Sequence, residues 1–185
     1  MACSSDNGKT GPDVKPVVPP VQKETGIEIG KVLPAWQKGE MDIHFINTTT
    51  GECAFLIMPD GTQMLIDAAS SLISTNSNGS TTNTGIRSRW DPTKTGTRGS
   101  MLIANYLKKC MAWTGNGTID YIVNTHLHND HFGDCNSSLP VSGNSSTYRL
   151  NGIPEILDLF PVSKVVDRGW PSYDYPFDMQ TLASN

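Results

Sequence analysis

The chain has 185 residues, 37% of them hydrophobic and 17% charged, which is enough for one modest core and little more, so one domain is the expectation. A formal net charge of −4 excludes whole-molecule attraction to nucleic acid or an anionic membrane, so any polyanionic substrate would have to be held locally. No run of about 18 apolar residues occurs, so no helix of this sequence is expected to span a bilayer.

Residues 1–25 read as a flexible tether. Pro12, Pro16, Pro19 and Pro20 are set among Ser, Asp, Lys and Gly with little apolar company but valine, a polyproline-like composition that cannot form a packed core. The start Met1-Ala2-Cys3-Ser4-Ser5 resembles a mature bacterial lipoprotein whose signal peptide has been replaced by an initiating Met, with Cys3 as lipid acceptor; the alternative is a disordered terminus without a role. The lipoprotein reading places the protein at the bacterial cell envelope, periplasmic or surface, anchored to a membrane through Cys3.

From Gly39 the texture changes. Met41 to Asn47 alternates apolar and polar residues as a half-buried strand does, which puts His44 on the polar side as a surface residue or a support to a site. Thr48 to Glu52, with Gly51, form a turn. Cys53 to Met58 make an apolar strand, Pro59-Asp60-Gly61 turns again, and Gln63 to Ala68 complete a predicted β-meander. Asp67 closes this run, where a carboxylate is commonly a turn former. Residues 70–98 are rich in Ser, Thr, Asn and Gly and carry Arg87, Arg89, Lys94 and Arg98 around Trp90, a basic loop of solvated charges or a cover for an anionic group.

Ser100 is the predicted N-cap of a helix through Met111, with Leu102, Ile103, Tyr106, Leu107 and Cys110 on one face and Lys108 and Lys109 toward its negative end. Gly115-Asn116-Gly117 stops it, and Ile119 to Asn124 is the next strand. Ile153 to Phe160 and Ser163 to Asp167 repeat the helix-then-strand unit, so the fold class is α/β, with ligands expected at strand ends. Asp167, before Gly169, reads as a capping residue that is also placed to face such a site. Cys3, Cys53, Cys110 and Cys135 show no C-x-x-C spacing. Cys53 and Cys110 are read as small buried apolar residues, and Cys135, just past His131, as a secondary candidate to approach a metal.

The chemistry concentrates in Thr125-His126-Leu127-His128-Asn129-Asp130-His131-Phe132-Gly133, which holds three of the four histidines. Imidazole and carboxylate donors suit zinc, iron or manganese, and the absence of a Cys pair argues against a structural zinc knuckle. His126 and His128 leave a strand end at i and i+2, and Asp130 and His131 turn back in a loop to serve a second ion beside the first. Two adjacent cations clamp the attacking and leaving oxygens of a hydrolytic displacement and make hydroxide available near neutral pH.

The run T-H-L-H-N-D-H-F-G resembles the metal-binding signature of the metallo-β-lactamase superfamily. That resemblance implies an αββα sandwich, with residues 26–185 as the N-terminal portion of the hydrolase domain and further ligands contributed by a second half. It implies that His126 and His128 bind one metal, that Asp130 and His131 bind the second, and that Asp67 orients them. Two zinc ions are expected in the complete protein, with manganese or iron as alternatives. An isolated half is expected to expose an apolar sheet face, bind metal weakly and catalyse poorly. The layout M-D-I-H-F-I-N, G-E-C-A-F-L-I-M-P-D-G, M-L-I-D-A is most similar to the branch related to the hydrolase domain of bacterial DNA-uptake proteins. The implied activity is attack of metal-bound hydroxide on a small ester-like or phosphodiester substrate, with Asp130 also serving catalysis as a proton carrier. The rival expectation is a non-catalytic, membrane-anchored binding or assembly domain whose metal site has decayed.

Overall fold

The computed structural model describes residues 29–48, 51–68, 74–75, 81–82, 98–134, 137, 139–174 and 178. The chain divides into Met1–Pro34 and Ala35–Asn185, and the sheet, the helices and the histidine-rich loop all lie in the second unit. The tether at 1–25 with Cys3, the basic cluster Arg87, Arg89, Trp90 and Lys94, and Cys135 fall outside the described residues.

The elements are β1 (Asp42–Phe45), β2 (Ala54–Ile57), β3 (Gln63–Ile66), β4 (Ser74–Thr75), β5 (Thr81–Thr82), α1 (Gly99–Thr114), β6 (Ile119–Val123), α2 (Gly152–Leu159) and β7 (Val162–Val166). β1, β2, β3, β6 and β7 form one sheet in that order, and β4 pairs with β5 in a separate two-stranded ladder. β1 to β3 are the antiparallel meander expected from the sequence, joined through Gly51 and Gly61 at left-handed φ of 75° and 94°. β6 and β7 then join in parallel, each reached through a helix as parallel strands require. This mixed α/β sheet is consistent with the partial metallo-β-lactamase-like fold that the sequence resemblance implies. No helix among the described residues is long and apolar enough to cross a membrane.

Both helices cover one face. Phe55, Ile57, Leu65 and Ile122 from the sheet meet Ile103, Leu107, Cys110, Ile153 and Ile156 from the helices in one buried cluster. Each fully buried Leu, Ile or Phe side chain there contributes about 1.5–3 kcal/mol. Cys53 and Cys110 lie inside it as free thiols, and burial pushes the Cys53 thiol up to about 12, far from a reactive thiolate.

Four expectations change. The apolar residues of β1 face outward, with Ile43 49% and Phe45 80% exposed, while His44 is buried. His44 therefore belongs to the helix-covered layer, where its Nδ1 lies 2.9 Å from the Tyr106 hydroxyl and its ring packs near Phe55, Tyr106 and Trp113. Ser100 is not the N-cap of α1; Arg98 is, and the Ser100 hydroxyl donates to the buried Glu155 carboxylate instead. Arg98 is not a free loop charge, because its Nε donates to both Glu155 oxygens at 3.0 and 2.8 Å and so ties α1 to α2. α1 also runs three residues past Met111 to Thr114, ending at Gly115 with φ 70°, which leaves Lys108 and Lys109 upstream of the last turn.

Candidate metal centre

β6 is flanked by β3 and β7, and its carboxyl end delivers the histidine-rich loop. Asn124 extends the ladder through its N–H to Val166 O at 2.8 Å, and at Thr125 the chain departs. Beside it, Asp67 leaves β3 with its N–H on Val123 O at 2.9 Å and a left-handed φ of 53°, a conformation that Asp tolerates better than most residues. That bend drives a fully buried carboxylate under the loop.

The carboxylate organises what lies above it. Asp67 Oδ1 accepts the Thr125 N–H at 2.8 Å, and Oδ2 accepts the Thr125 hydroxyl at 2.6 Å and the His131 Nδ1–H at 2.8 Å. Ala68 N–H adds a bond to His131 O at 3.0 Å. Between these anchors the loop coils: the N–H groups of His131 and Phe132 both reach His128 O, at 3.0 and 2.8 Å. One helical turn brings His131 back over His126, with ring centroids 3.9 Å apart.

The bonds also decide which nitrogen each ring offers. An ionised carboxylate only accepts, so His131 carries its proton on Nδ1 and presents Nε2. The single Thr125 proton is committed to Asp67, so Thr125 Oγ1 accepts from His126 Nδ1 at 3.1 Å, and His126 likewise presents Nε2. Thr125 thus sorts the rings without being a ligand. Nothing in its position within the sequence reveals this, since the acceptor lies 58 residues away.

His126, Asp130 and His131 offer ligand atoms within 4.8 Å of one another. Three donors on one tetrahedral zinc lie about 3.4 Å from one another, so the group closes with shifts on the order of 1 Å. His131 Nε2 and Asp130 Oδ2, 3.8 Å apart, are already near that separation. His128 is not part of this trio, but its Nδ1 sits 3.2 Å from His126 Nε2, close to the roughly 3.4 Å edge of a tetrahedral site. The residues therefore fit a divalent ion. Burial, together with the neighbouring His131 and His128 rings, holds the His126 pKa below its ordinary value and favours the neutral form that ligates.

Asp67 is thus more than a turn former. Asp167 is the opposite case: its Oδ1 accepts the N–H groups of Gly169 and Trp170 at 3.1 and 3.0 Å, and Oδ2 accepts the Tyr173 hydroxyl, so it caps the turn after β7.

The family model of the metallo-beta-lactamase superfamily matches residues 114–180, a span that takes in β6, the histidine-rich loop, α2 and β7. Over those residues the chain is similar to the metallo-beta-lactamase superfamily. That similarity supports a metal-dependent, hydrolase-type function in general terms. Comparison with curated proteins and with solved structures finds no match. Asp67 lies outside the matched span, so its bonds to Thr125 and His131 tie the meander to the superfamily segment on separate, structural grounds.

Proposed function

We propose that the protein is a zinc-dependent hydrolase of ester-like or phosphodiester bonds, with His126, His128, Asp130 and His131 as the metal-holding residues. The observation that carries this reading is the convergence of His126, Asp130 and His131, with the Nδ1 of His126 held by Thr125 and that of His131 by Asp67. A bound divalent ion supplies a Lewis acid and makes water nucleophilic near neutral pH. The chain's own residues do the rest. Asp67 keeps His131 and Thr125 in place, and Asp130, whose side chain is 43% exposed, is accessible to take a proton and pass it to a leaving oxygen. Two ions in the complete site, with manganese or iron as substitutes, are part of the proposal. So is membrane anchoring through a lipidated Cys3 at the bacterial cell envelope, which rests on sequence alone.

The test is hydrolysis of chromogenic esters and phosphodiesters by the zinc-loaded protein. Activity should vanish with chelator, return with zinc or manganese, and be absent in His128→Ala with the fold retained. Unchanged turnover in His128→Ala refutes the ligand assignment. Metal content below about one ion per chain after purification without chelator favours a non-catalytic binding or assembly domain instead.

A further inference from the structure

The metal loop is shaped from outside as well as from Asp67. Gly51, in the turn between β1 and β2, lies against Asp130. The neighbouring Glu52 N–H points at Asp130 O at 3.3 Å, and Thr48 Oγ1 donates to Gly51 O at 3.4 Å, pinning the turn from the β1 side. A Cβ added at Gly51 would collide with the Asp130 carbonyl oxygen and stand 2.5 Å from its carbonyl carbon and 2.9 Å from its Cβ. Two of those three atoms are backbone, which cannot swing aside as a flexible side chain would.

We infer that Gly51 is a positioning residue for Asp130: the bare backbone of the turn seats the Asp130 peptide and thereby aims its carboxylate at the point shared with His131. This rests on the metal-site reading above. Asp130 Oδ2 and His131 Nε2 are 3.8 Å apart, already slightly wider than the roughly 3.4 Å edge of a tetrahedral site, so a further displacement on the order of 1 Å removes Asp130 from the donor set. Backbone strain and collision are separable, because the molecule contains a matched control. Gly115 has nearly the same left-handed φ, +70° against +75°, yet a Cβ there meets no described atom within 4 Å.

The experiment is a cobalt(II) titration of the full chain, read by the visible ligand-field spectrum and the affinity, for the wild type, Gly51→Ala, Gly115→Ala, Asp130→Ala and the Gly51→Ala/Asp130→Ala pair. Gly51→Ala should weaken cobalt binding by about tenfold or more and alter the spectrum, while Gly115→Ala keeps both. The double variant should bind no worse than Asp130→Ala alone, because the two changes act on one ligand. A wild-type titration curve and spectrum from Gly51→Ala overturn this inference and leave the metal site standing. A wild type that takes up no cobalt overturns both. If Gly51→Ala does not fold, the wild-type chain decides by NMR: the Glu52 amide should shift on zinc addition while the Gly115 amide does not, and an unmoved Glu52 amide overturns the inference.

Discussion

The two faces of the sheet carry side chains of similar chemistry and opposite fate. On one, Phe55, Leu65 and Ile122 lie beneath α1 and α2 with no exposure. On the other, the register aligns Phe45, Ile66, Val123 and Val166 in one row and Ile43, Leu56, Met64 and Tyr121 in the next, with Phe45 80% and Val166 42% exposed. Strands that are apolar on both faces belong in a sheet covered on both faces. The helix-covered face therefore holds this unit together, and the open face matches the apolar surface expected of a partial αββα sandwich.

The contrast can be broken most forcefully from the covered side. Leu107→Ala, at a fully buried position, should cost about 2–5 kcal/mol in urea unfolding, and a loss below about 1 kcal/mol would mean that this face is not the core.

His44 sharpens the comparison through pH. Burial lowers its pKa below the unfolded value of 6.5, with Asp42 partly opposing. Above pH 6.5 His44 is neutral in both states and its site is fully stable. Below 6.5 the unfolded chain takes up the proton more readily, so stability falls until the folded pKa is passed. His44→Gln, which cannot titrate, should show a shallower loss between pH 7 and 5, with the lowered His126 retaining part of the slope. Identical pH profiles would place His44 outside the buried layer.

The smallest effect belongs to the open face. Phe45→Ser should change stability by no more than about 0.5 kcal/mol and reduce self-association in sedimentation. A core-sized loss would show that the face is covered.

Much of this could be read from residue order because it is local. Turn glycines mark the meander, Gly115 ends α1, and the packed histidines of the T-H-L-H-N-D-H run mark the candidate metal loop. Period-two alternation, however, is identical for the two faces of a strand, so it could not say that β1 turns His44 inward and Phe45 outward; the helices decide that. Ser100 has the chemistry of a cap, but a buried Glu155 contributed by α2 captures its hydroxyl. Gly51 reads as an ordinary turn glycine until the fold sets it against Asp130. In each case the deciding partner is distant in the chain.

The central claim is that Asp67, Thr125 and the coiled loop present His126, Asp130 and His131 to one cation. Isothermal titration of the wild type, Asp67→Asn and His131→Ala with zinc tests it most directly. Zinc should bind the wild type, bind Asp67→Asn about 10–100-fold more weakly, and bind His131→Ala weakest of all. Equal zinc affinity in all three proteins, or none in the wild type, would contradict it.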